Sequence, residues 1–153
     1  MFTRLLSFVV CLVTAVGLMV GTALAADYGT AAEAKAMLER AVVALKADKA
    51  KALADFSAGT GGFKEKDLYV YCGGPDGMFT AHPTLMGTSL KNLMDKGTPP
   101  KPIGQEVYKT AQEGKFSQFS YTWAPTDDPT KTFEKEVYVT KVGDQVCGVG
   151  YRK

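Results

Sequence analysis

The sequence predicts an α+β fold: a central antiparallel sheet lying between one long N-terminal helix and a run of short helices. Three observations predict it. Residues 30–58 carry alanine-rich helical periodicity, after which the chain changes to short apolar and aromatic strands bounded by turn residues. Leu68–Cys72, Val137–Val139 and Val146–Val149 are apolar at consecutive positions, whereas a sheet with one wet face alternates apolar and polar residues, so both faces are covered. The long helix can cover one face, and the segment from 84 to 113 is left to cover the other.

The elements follow in order. Thr30-Ala31-Ala32-Glu33 is a capping box, in which hydroxyl and carboxylate satisfy backbone N–H groups at a helix start. Ala34, Met37, Leu38, Ala41, Val42 and Leu45 then recur at helical spacing. Asp48 is placed to restart a second piece, with Ala50, Leu53, Ala54 and Phe56 as its apolar positions, and Gly59 and Gly61-Gly62 stop it. Leu68–Cys72 reads as a strand, residues 73–77 as a turn, and Met78–His82 as the returning strand of a hairpin ended by Pro83. Residues 84–95 read as a short helix or a turn segment, and Thr98–Pro102 as a stiff loop. Gln105–Glu113 reads as a second short helix with Gly114 as its stop. Three strands close the chain: Phe116–Trp123, Thr132–Val142 and Gln145–Tyr151, joined by a turn at 124–129 and a tight turn at Gly143-Asp144. Short, glycine-broken helices leave room for a pocket above the sheet.

The N-terminus has the pattern of a secretory signal. Met1–Arg4 carries one positive charge, Leu5–Val20 is apolar but for Ser7, Thr14 and Gly17, and Gly21–Ala25 ends in the small-x-small pattern of a cleavage site. Cleavage after Ala25 is expected, leaving 26–153 as a single domain. The alternative is an uncleaved anchor, for which the apolar run is short against the roughly 20 residues of a span. Cys11 leaves with the signal, and Cys72 and Cys147 remain. An even pair in an oxidising compartment suggests one disulfide; the alternative is two buried free thiols.

Composition excludes several classes. Lys+Arg 18 against Asp+Glu 16 is too balanced for a basic nucleic-acid binder, and 46% hydrophobic residues are too many for a disordered tail. One histidine rules out a multi-histidine metal centre. The chain carries no Cys-x-x-Cys, no phosphate-cradling glycine loop and no His-Glu-x-x-His, so the sequence predicts no enzyme, no haem and no other cofactor. Asp76 and Asp127-Asp128 lack the oxygen-ligand spacing of a calcium loop, and Lys64–Asp67 alternates in sign as a solvated rim.

A set of ordered motifs carries a family resemblance. Asp67-Leu-Tyr-Val-Tyr71, Asp76-Gly77, Ala81-His82-Pro83, Gly87 ahead of Leu90, Tyr121-x-Trp123, Lys135-x-x-Tyr138-Val139 and Gly148-Val-Gly-Tyr151 together resemble the single Cache domain (type 2), over roughly residues 30–151. One departure stands out: the family's Gly-aromatic pair before the tyrosine matched by Tyr121 is missing from Phe116-Ser-Gln-Phe-Ser120. The resemblance implies a PAS-like fold with a five-stranded antiparallel sheet, strand order 2-1-5-4-3. It also implies an extracytoplasmic, periplasmic sensor of small molecules such as organic acids. That strand order makes the strands of Cys72 and Cys147 neighbours, in reach of a disulfide. With no output domain or second membrane span before Lys153, the expected readout is a partner, a membrane sensor kinase or a chemoreceptor.

Five residues are candidates for ligand binding. His82 can hydrogen-bond or partly neutralise an anion, or can be structural, bonded to a loop carbonyl. Lys135 can supply a point charge for a carboxylate, or can be a solvated strand lysine. Tyr121 and Trp123 share a face and can line an aromatic pocket or simply build core; Tyr69 and Tyr71 carry the same ambiguity. Tyr138 stands three residues from Lys135, so both enter one pocket only across a bulge. The alternative to a sensor is a structural or interaction protein with a packed, ligand-free Cache core.

Overall fold

The structure, a computed structural model, describes residues 27–125 and 128–153. The signal-peptide pattern and part of the 124–129 turn lie outside the described residues. Helix α1 (Ala31–Ala47) starts at the capping box: the Glu33 N–H donates to the Thr30 hydroxyl, and the Thr30 N–H donates back to the Glu33 carboxylate. Asp48 is extended, so it ends α1, and its carboxylate accepts from the Lys51 N–H to start α2 (Lys49–Ala58). Among the described residues no helix is long and apolar enough to cross a membrane.

The sheet has six antiparallel strands: β1 (Lys64–Glu65), β2 (Leu68–Gly73), β3 (Phe79–Ala81), β4 (Ser117–Trp123), β5 (Phe133–Val142) and β6 (Gln145–Arg152). The five expected strands stand as β3-β2-β6-β5-β4, the order implied by the resemblance. The sixth, β1, was not expected: Lys64 and Glu65 stay exposed, as the rim reading had them, and also pair with Tyr69 and Leu68 of β2.

Strand alternation sorts the side chains to two cores. On the helix side Met37, Leu38 and Phe56 pack against Val70, Cys72, Cys147 and Val149. On the other side Phe79, Leu90 and Val107 pack against Val137, Val139 and Val146. Cys72 lies opposite Cys147 in register, and the two form a disulfide.

Residues 84–95 form turns, without a helix. The Phe79 N–H donates to the Thr88 carbonyl and the Lys91 N–H to the Gly77 carbonyl, so the segment folds back on the β2–β3 hairpin. The short helix α3 (Ile103–Thr110) begins two residues before its expected start and ends three before its expected end, where Ala111 turns extended. Asp95 is buried and fastens this layer to the sheet: its carboxylate accepts from the N–H groups of Gly97, Lys101 and Thr122. Burial alone would raise its pKa, but those three donors together hold the carboxyl below its ordinary value.

Candidate functional site

An inner cavity lies between the sheet and the 83–107 segment. Its floor carries Tyr69 and Tyr71 of β2 and Phe119, Tyr121 and Trp123 of β4; Leu90, Ile103 and Val107 roof it, and His82 closes one side. The tyrosines lie flat because β6 presents glycine beneath them. A Cβ at Gly148 would stand 2.6 Å from the Tyr71 hydroxyl oxygen, and one at Gly150 would stand 3.0 Å from that of Tyr121. The space open to water centres is about 30 Å³, room for one or two waters.

His82 is oriented by its own loop. Its Nδ1 accepts from the N–H groups of Thr84 and Leu85, both at 3.0 Å, so the ring proton sits on Nε2. The structural partner is therefore a pair of amides, where the sequence reading had a carbonyl. The ring meets Tyr69 and Phe79 edge-on, at 5.1 and 4.9 Å between centroids. Burial, then the nearby Lys135 charge, lowers the imidazole to about 4. His82 is thus neutral at neutral pH in the ligand-free protein, with Nε2–H free to donate.

Burial raises the phenols of Tyr69, Tyr71 and Tyr121, and the neighbouring hydroxyls of Tyr71 and Tyr69 add to the effect on Tyr121. All three stay protonated, and within the described residues none of their hydroxyls is hydrogen-bonded. Trp123 stacks edge-on to Tyr121 at 6.0 Å. Among the described residues no carboxylate or ammonium lines this cavity.

Lys135 borders the cavity from outside. It is 6% exposed and lies on β5 directly opposite Tyr121 of β4 and Arg152 of β6. Its Nζ stands 5.5 Å from the Tyr69 ring centroid. Burial lowers its affinity for the proton, Asp67 opposes that, and Arg152 adds to it.

Tyr138 does not join these residues. The β5 register is unbroken from Phe133 to Val142, so Tyr138 points to the helix side and stacks on Tyr151 at 5.9 Å. The structure therefore brings together His82, Tyr121 and Trp123, sets Lys135 at their margin and leaves Tyr138 out. It adds Tyr69 and Tyr71, whose shared face the sequence pattern had raised, and the two β6 glycines, which the sequence placed in the closing strand and its motif without giving them a role at the site.

The fold is that of Cache sensor domains. The chain is similar to a Cache chemosensory domain solved for carboxylic acid recognition, at 16% identity and TM-score 0.53, with 77% of this chain and 84% of that one covered. It is similar also to the periplasmic sensor domain of a chemotaxis protein, at 19% identity and TM-score 0.54, covering 77% and 86%. No protein-family model and no curated protein matches the sequence.

Proposed function

We propose that residues 26–153 form an extracytoplasmic binding module for a small organic acid, without enzymatic activity, that acts in signal transduction through a partner such as a membrane sensor kinase or chemoreceptor. One observation carries this reading. Tyr69, Tyr71, Tyr121 and His82, all with a donor O–H or N–H, line a cavity that has no carboxylate among the described residues, and Lys135 adds a positive charge at its margin. Within the described residues no protein acceptor takes these O–H and N–H donors, and an anionic ligand would supply one. The signal-peptide pattern and the Cys72–Cys147 disulfide support an oxidising, extracytoplasmic location. A neighbour of the same fold that recognises carboxylic acids supports the ligand class.

At about 30 Å³ the cavity is contracted. A ligand would enter as the 83–104 segment moves away from the sheet, and a partner would read that population shift. The same small volume favours a second reading, a structural or interaction protein with a packed core. Thermal unfolding across a panel of organic acids, amino acids and purines separates the two. A ligand at 100 times its dissociation constant stabilises by about 2.7 kcal/mol; unchanged melting with every compound leaves only the packed core.

A further inference from the structure

The sheet ends differently on its two sides. One side closes on short strands, β1 with two residues and β3 with three, which offer little edge to pair. The other ends on β4, seven residues long, paired with β5 alone and in unbroken register from Ser117 to Trp123. That strand holds no charge, no proline and no bulge, the devices that keep a long edge from pairing. A loop covers only one end of it. The Thr122 N–H donates to the Asp95 carboxylate and the Thr122 carbonyl accepts from the Lys96 N–H, so the backbone groups of Thr122 point away from β5. By strand alternation those of Ser120 and Gln118 point the same way. Both residues are exposed, and among the described residues nothing takes their outward N–H and C=O groups. Beside them a cleft of about 320 Å³ lies between the start of α3 and β4, walled by Pro102, Ile103 and Phe119 with Lys101 and Glu106.

We infer that a second copy of this chain pairs with that edge, β4 against β4, about a two-fold axis at Phe119. The register follows from which groups are free. In an antiparallel pair, residues that point at each other's strand exchange both backbone hydrogen bonds. Centring on Phe119 sets Gln118 opposite the partner's Ser120 and Ser120 opposite the partner's Gln118, which uses every free N–H and C=O of both. Centring on Ser120 would set Gln118 against Thr122, whose groups Asp95 and Lys96 already hold. The strand begins at Ser117, which falls opposite Tyr121, so the partner's chain leaves the edge before it meets Asp95. Phe119 meets its own copy across the axis in a non-hydrogen-bonded pair, where side chains come closest, and aromatic cross-strand pairs add to sheet stability. The cleft beside it carries one lysine and one glutamate, so it is self-complementary in charge, as suits an isologous contact. The pairing uses a strand edge and is independent of whether the inner cavity takes a ligand.

Sedimentation equilibrium and residue-resolved amide hydrogen exchange test this on residues 26–153, at concentrations up to about 1 mM, where weak association shows. A monomer–dimer equilibrium is expected. At about nine-tenths dimer the Gln118 and Ser120 amides should exchange about tenfold more slowly than in the monomer, because only the open edge exchanges. The Phe119 and Tyr121 amides, already bonded to β5, should not change with concentration. Ser120→Lys, at an exposed position, should weaken dimerisation about tenfold, since the two-fold counts the edge charge twice. Its melting temperature as a monomer should match wild type, and Ser120→Thr should dimerise as wild type does. The exchange measurement needs no variant, so it decides the matter even if Ser120→Lys folds poorly. A chain that stays monomeric throughout overturns the proposal. So does a dimer whose Gln118 and Ser120 amides exchange as fast as the monomer's, or one that a folded Ser120→Lys leaves unweakened, since either places the contact on another face.

Discussion

Replacing Lys135 with methionine is expected to stabilise the ligand-free protein. The side chain is 6% exposed, its ammonium is unpaired within the described residues, and methionine matches the aliphatic stem. Partial desolvation of the ammonium, whose Nζ still reaches solvent, costs about 1–3 kcal/mol. The Tyr69 ring, 5.5 Å from Nζ, returns about 0.5–1 kcal/mol of that as a cation–π contact. The net gain on substitution is about 0.5–2 kcal/mol, or about 2–8 °C in melting temperature for a domain of this size. The pH dependence has a definite sign. Burial places the folded-state Lys135 below its ordinary 10.5, so between those two values the unfolded chain binds more protons and wild-type stability rises with pH. Below that window the cost is fully present. The variant's advantage is therefore greatest near neutrality and shrinks as pH approaches 10.5. Urea unfolding of both proteins at pH 7 and at pH 9.5 measures it. A variant less stable than wild type at pH 7 by 1 kcal/mol or more would refute the reasoning, because the ammonium would then be held by the fold instead of awaiting an anion.

The remaining predictions concern the framework. Asp95→Ala strands three backbone donors and should cost about 2–4 kcal/mol in denaturant unfolding; a loss under 0.5 kcal/mol would mean that water replaces the carboxylate. His82 stays neutral in the fold down to about 4 while the unfolded chain protonates near 6.5, so its contribution to stability falls as pH drops through that window. His82→Phe should flatten that part of the profile, and an unchanged slope would place the proton uptake elsewhere. Reduction of Cys72–Cys147, which closes a loop of 75 residues, should cost about 2–5 kcal/mol. Mass spectrometry without reductant should find the cross-linked peptide two hydrogens light; two alkylatable thiols would contradict the bridge.

Much of the fold was legible because it rests on local chemistry. The capping box at Thr30, the restart at Asp48 and the two-sided apolar strands state their structure in consecutive residues. The disulfide was legible once the signal-peptide pattern set Cys11 apart from Cys72 and Cys147. What stayed hidden depends on groups far apart in sequence. Nothing local distinguishes Asp95 from an ordinary loop aspartate, since its donors come from Lys101 and Thr122. The glycines at 148 and 150 were legible as part of the closing strand, but their purpose shows only where Tyr71 and Tyr121 lie over them. Strand period alone put Lys135 and Tyr138 on opposite faces, and the unbroken β5 register keeps them there. The Arg152 clamp between Tyr28 and Phe133 joins the two ends of the domain and has no sequence signature.

Trp123 is the only tryptophan in the chain and it lines the inner cavity, so its fluorescence reports on that cavity directly. Titrating the mature protein with butyrate and hexanoate should produce a saturable change in Trp123 emission, at concentrations that also raise the melting temperature. Emission that stays flat through both titrations, while Trp123 remains shielded from iodide quenching, would contradict a ligand-binding cavity and leave a packed core.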